Sequence, residues 1–198
     1  EFIHFLRLFF DERDTWSRKA NFVRIDVACR LCFVCLDSTL KDKQPVAEGE
    51  VGIGQWEWFN RKLGALSKTH PDFDRFVKIV AIHHHPHPIQ AAGPDRFMQL
   101  LDAGTAVREF ERHRVNVVLH GHKHFPHERL QAIGGGAHYT IVGAGTVTCP
   151  FPEEQAGEGN SFNVVKLRPD ANLLEVQRWK ANSDKRYVPT SPEPRRFP

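Results

Sequence analysis

The chain has no apolar run approaching the roughly 20 residues that a membrane-crossing helix needs, so no segment reads as one. Its opening residues, Glu1-Phe2-Ile3-His4-Phe5-Leu6, lack the charged n-region and small-residue cleavage site of a secretory signal, and there is no initiator Met. Excess charge is also small. Lys and Arg total 27 against 24 Asp and Glu, a net +3 with neutral histidines, and the cations are scattered. That pattern is too mild to argue for nucleic acid, and no specific nucleic-acid partner is indicated. There is no internal repeat. Gly134-Gly135-Gly136 has no helical pattern after it, so it reads as a hairpin turn and not as a phosphate cradle.

Cysteine is scarce. Cys29-x-x-Cys32-x-x-Cys35 with a distant Cys149 has the outline of an iron–sulfur pattern. Residues 30–36, however, read as a buried strand, in which alternate side chains face opposite ways. Cys29 and Cys35 would then point away from Cys32. Reduced core cysteines of a cytoplasmic protein are the expectation.

The length of 198 residues suffices for one domain with a real core. Residues 2–10 have helical apolar spacing through Phe2, Phe5, Leu6, Phe9 and Phe10. Residues 22–27 and 30–36 read as strands, and 41–50 as a charged loop. Residues 54–66 read as a helix with Trp56, Phe59, Leu63 and Leu66 on one face. Residues 77–82 form a β-branched run typical of a central strand covered on both faces. A His-, Pro- and Gly-rich loop follows over 83–94. The pattern then predicts a helix over 95–113, weakened by Gly104, and a buried strand over 115–119.

Beyond the second histidine cluster the pattern changes. Residues 139–142, 162–167 and 173–179 read as strands with no helix between them, an antiparallel meander. The expectation is an α/β sandwich whose second sheet is completed by C-terminal strands, over residues 1–186. Residues 187–198 hold four prolines and read as an extended or disordered tail.

What the chain has in quantity is histidine. Seven of its 12 histidines lie in two short stretches, His83, His84, His85 and His87, then His120, His122 and His124. Each stretch follows a buried strand, at the place where loops are exposed yet held by a rigid sheet. Neutral imidazole is a common metal ligand. In a strand, or in a tight turn of the kind Gly121 permits, His122 and His124 can converge on one point or on two adjacent ones. Pro86 biases His85 toward extended geometry and steers the loop that carries His84. His84, His122 and His124 alone could bind one zinc ion with an open fourth position. They could equally be half of a two-metal site. His4, His70, His113, His127 and His138 read as ordinary surface or core residues.

The segment Val117-Val118-Leu119-His120-Gly121-His122-Lys123-His124 resembles the last signature of the calcineurin-like metallophosphoesterases, a strand followed by Gly-His-x-His. The segment Ile79-Val80-Ala81-Ile82-His83-His84-His85-Pro86 resembles the preceding one, a strand followed by His-His-Pro. Residues 33–38, ending Leu36-Asp37-Ser38, resemble a further strand motif, and residues 52–59, with Gln55 and Trp58, a helix opening. Residues 141–146 and 162–165 resemble the closing strands. The likeness spans nearly the whole chain and leans toward the bacterial phosphodiesterase-like branch.

The resemblance implies a four-layer α/β sandwich of two mixed β-sheets flanked by helices, built around two divalent metal ions (manganese, iron or zinc). It implies His84 and His122 as ligands of one ion and His124 of the other, with His83 and His85 as register alternatives for His84. His85 and His87 would contact substrate. The implied reaction is hydrolysis of a phosphodiester or phosphomonoester. A scaffold of the same fold that binds a protein partner without catalysis is the alternative.

The departures are as informative. The family's Asp-x-His, Gly-Asp-x-x-Asp and Gly-Asn-His motifs are absent; the sole Gly-Asn, Gly159-Asn160, is followed by Ser161. No catalytic residue is therefore assigned. The expectation is that these residues are the C-terminal part of a larger domain whose N-terminal half supplies the carboxylates. Without that half, the chain would expose an unpaired sheet edge and be poorly soluble or partly disordered.

Overall fold

The computed structural model describes residues 21–39, 47–89, 98–132, 138–147, 160–168, 173–190 and 193–196. The expected helix over 2–10, the glycine triplet and Cys149 lie outside them.

Strands β1 (Phe22–Asp26) and β2 (Leu31–Leu36) form an antiparallel hairpin. Helix α1 (Ile53–Thr69) carries the chain from β2 to β3 (Val77–Ile82), and helix α2 (Ala103–Arg112) from β3 to β4 (Val117–His120). Strands β2, β3 and β4 are parallel neighbours. Strands β5 (His127–Ala132) and β6 (His138–Gly143) complete a six-stranded mixed sheet in the order β1-β2-β3-β4-β6-β5. A second, four-stranded sheet is antiparallel throughout its described residues. It pairs β8 (Leu173–Ala181) with β7 (Ser161–Arg168), β9 (Tyr187–Pro189) and β10 (Glu193–Arg196).

Alternation along β3 shows why the large sheet is covered on both faces. Val80 and Ile82 point to the helices, where Trp56, Phe59, Leu63, Ala106 and Phe110 complete one core. Val77 and Ile79 point to the second sheet, where Leu174 and Val176 complete another. The described residues thus form a helix layer, a mixed sheet and a smaller sheet, three of the four expected layers. No helix among them is long and apolar enough to cross a membrane.

Several expectations are revised. β6 does not join a C-terminal meander; it lies parallel to β4, between β4 and β5. Tyr139 and Ile141 pack under the helices and Val142 against the second sheet, so β6 is a central strand that needs neighbours on both edges. β5 was not legible because its residues His127-Glu128-Arg129-Leu130-Gln131-Ala132 bury no apolar face. Of the helix expected over 95–113, the described residues are helical only from Ala103, because residues 99–102 have another task. Leu100 bridges to Gly49. The Asp102 carboxylate accepts from Val51 N–H (3.2 Å), Gly52 N–H (2.9 Å) and Trp56 Nε1–H (2.7 Å) at the N-terminus of α1. Residues 187–189 and 193–196 pair with β8 as short strands. Cys32 is buried and Cys35 half-buried on opposite faces of β2, as alternation requires; Cys29 lies in the preceding turn and is exposed.

Candidate metal centre

The carboxyl ends of β2, β3 and β4 bring the two histidine stretches together. Ser38, just past β2, hydrogen-bonds His84 twice: its Oγ accepts from the His84 backbone N–H (3.1 Å) and lies 2.8 Å from Nδ1. His84 Nε2 donates to the Ala47 carbonyl at 3.2 Å, so Nδ1 is the acceptor from the Ser38 hydroxyl. Both ring nitrogens of His84 are therefore engaged. A Cβ at Gly49 would lie 2.1 Å from His84 Nδ1, so only glycine lets that strap pass over the ring. Gln55 braces the end of β2 by accepting from Asp37 N–H (3.0 Å) and donating to the Asp37 carbonyl (2.6 Å).

The His122 ring lies against His84, with centroids 4.1 Å apart, and against His83 at 4.9 Å. Its Nδ1 is 3.1 Å from His83 Nε2. Its Nε2 is buried with no hydrogen-bond partner among the described residues. The two loops are also tied by backbone, Gly121 N–H donating to the His83 carbonyl at 3.1 Å. The turn is not made where the sequence suggested. His122 (φ 71°) and His124 (φ 53°) take the left-handed conformation, whereas Gly121 does not. That conformation is uncommon outside glycine and concentrates at functional sites.

Burial holds the His84 imidazole down at about 4, with the His122 and His83 rings pushing the same way and the Ala47 carbonyl opposing. Burial likewise holds His122 at about 4, helped by His83 and His85, with the Ala47 backbone opposing. Both rings are neutral at pH 7, the state a metal ligand requires.

The expected residues are not all equally placed. His84 and His122 are in contact. His124 is exposed, and its ring touches neither, though its charge acts on His122. His85 is buried, its centroid 6.1 Å from His120 and 6.3 Å from His122. His87 is half-buried, its Nε2 hydrogen-bonded to the Tyr139 hydroxyl, and burial holds it at about 4. Sequence reasoning missed a second pair, His120 with His127, whose rings are 4.9 Å apart. Only the position of β6 between their strands reveals it. A cavity of about 770 Å³ opens beside these rings, walled by Phe22, Phe33 and Leu119 with Asp37, His83 and His120 lining it too.

Neutral imidazoles in contact, one with an orphaned buried nitrogen, suit a borderline divalent ion as nitrogen donors. Among the described residues, no three His, Cys, Asp or Glu side chains are arranged to hold an ion without rearrangement. The fit is to part of a donor set.

No family model matches the chain, and no curated protein matches it in sequence. Solved structures do. The chain is similar to a purple acid phosphatase from yellow lupin (Lupinus luteus) seeds, at 14% identity and TM-score 0.51, over 93% of this chain and 34% of that one. It is similar at lower scores to Vps29 from Entamoeba histolytica (12% identity, TM-score 0.35, 84% and 99% covered). A candidate 5′-nucleotidase from Staphylococcus aureus is a further match (10%, TM-score 0.34, 95% and 31%). The chain spans about a third of the length of the phosphatase. The described residues share the fold of that phosphatase, a metallophosphoesterase-like α/β sandwich.

Proposed function

We propose that this chain contributes the imidazole part of a two-metal phosphoesterase centre and that the reaction is hydrolysis of a phosphate ester, of the phosphodiesterase type. The observation that carries the reading is the buried, unpartnered His122 Nε2 in ring contact with a neutral His84, at the carboxyl ends of parallel strands. In this reading His84 and His122 hold one ion and His124 the other. When bound, a manganese, iron or zinc pair supplies Lewis acidity toward the phosphoryl oxygens. The chain's own residues do the positioning. Ser38 fixes the His84 ring, which gives up its bond to the Ala47 carbonyl to free Nε2. His83 orients His122 through Nδ1. His85 and His87 flank the substrate.

The oxygen ligands come, on this proposal, from an N-terminal portion of the domain that precedes these residues, in a cytoplasmic protein. A non-catalytic scaffold is the competing reading, and the double engagement of His84 is what favours it. Assay of the intact protein with divalent metals on bis(4-nitrophenyl) phosphate separates the two. Turnover abolished by His122→Ala is the expected result. An intact protein that binds no metal and turns over no phosphate ester would leave the scaffold.

A further inference from the structure

We propose that His120 and His127 form a divalent-cation site of their own, with two imidazole Nε2 atoms meeting over Gly143 to grip a borderline ion such as zinc.

Backbone carbonyls fix the tautomers of both rings. His120 Nδ1 lies 3.1 Å from the Gly121 carbonyl and His127 Nδ1 lies 3.2 Å from the Phe125 carbonyl. A carbonyl oxygen only accepts, so both Nδ1 atoms carry the proton. In the neutral rings both Nε2 atoms then present lone pairs, and they face each other at 3.3 Å. Two lone pairs at that distance repel unless something electrophilic lies between them. A metal ion fits. Two Zn–N bonds of about 2.0–2.1 Å spanning that gap enclose about 104–111°, close to tetrahedral. Donation of the second ring N–H to a backbone carbonyl is the usual way a metal-binding histidine is oriented.

The sheet explains how residues on β4 and β5 meet. Both pair in register with Gly143 of the intervening β6. Directly opposed residues share a face, so the two rings lean toward each other over Gly143. A Cβ at Gly143 would lie 2.2 Å from His127 Nδ1, so any other residue expels that ring. Neither ring hydrogen-bonds His84 or His122, so the site does not depend on the phosphoesterase reading.

Equilibrium dialysis of the intact protein against zinc, with the metal counted per chain, tests the site. His127→Gln and Gly143→Ala are each expected to bind one zinc fewer than wild type, and His122→Ala to keep that equivalent. Should Gly143→Ala not fold, His127→Gln carries the comparison alone. Equal zinc in wild type and His127→Gln would overturn the site. So would ¹⁵N spectra of the zinc-loaded protein showing a proton shared between the two Nε2 atoms. Zinc lost only in His122→Ala would overturn it while leaving the phosphoesterase reading intact.

Discussion

The two ends of the parallel strands bury basic side chains in different ways. At the carboxyl ends, His84 and His122 lie in ring contact and His120 lies against His127; the His122 Nε2 has no hydrogen-bond partner among the described residues, and the His120 and His127 Nε2 atoms face each other. At the amino ends, Lys78 is as deeply buried, but its ammonium stands over the Phe73 ring and donates one long bond, 3.5 Å, to the Phe76 carbonyl. Burial pushes all of these groups toward their neutral forms. The lesson is that a buried titratable group by itself marks nothing. Convergence of several nitrogen donors is what separates a candidate centre from a lysine that a strand happens to cover.

Acid should produce the largest difference between the ends. A group with a depressed folded pKa is deprotonated in the native state while the unfolded chain still binds its proton, so it stabilises above the unfolded pKa and that stability is lost as pH falls. For His84 and His120 the window runs from about 6.5 down to about 4 and about 3. Each pH unit costs about 1.4 kcal/mol per group, so these two rings alone should remove about 3 kcal/mol per unit below pH 6. Denaturant titrations at pH 7, 6 and 5 measure this. For Lys78 the sign is the same and the window is alkaline: stability should rise as pH climbs toward 10.5, and Lys78→Met should abolish that rise.

Next in size is the brace that holds the imidazole end. Asp102→Ala leaves three N–H donors at the start of α1 without their acceptor, at about 1–3 kcal/mol each. A loss of about 3–5 kcal/mol is expected by urea denaturation. A loss under 1 kcal/mol would mean the carboxylate is dispensable. Lys78→Met, an apolar replacement of similar length, should stay within about 1 kcal/mol at pH 7 or stabilise; a larger loss would make the two ends more alike than argued. Smallest is Gly121→Ala, expected within about 0.5 kcal/mol. The backbone there is not left-handed, and a Cβ would meet His83 Nδ1 at an ordinary 3.9 Å.

Legibility in the sequence followed the same divide. The β-branched run of β3 and the spacing of Trp56, Phe59 and Leu63 made the core readable, because burial imposes a period on apolar residues. The histidine stretches at the strand ends were readable for the same reason: the strands before them were. Strand order was not. Nothing in residues 120–143 says that β6 enters between β4 and β5, and without that His127 looks like any half-buried histidine. The start of α2 was misplaced because Asp102 caps a helix 50 residues earlier in the chain, a contact no local pattern encodes.

Anomalous scattering from crystals of the intact protein grown with zinc tests whether these imidazoles hold a metal. A peak within bonding distance of His122 Nε2 and of His84 is expected. Well-ordered imidazoles at that position with no anomalous peak beside them would contradict it.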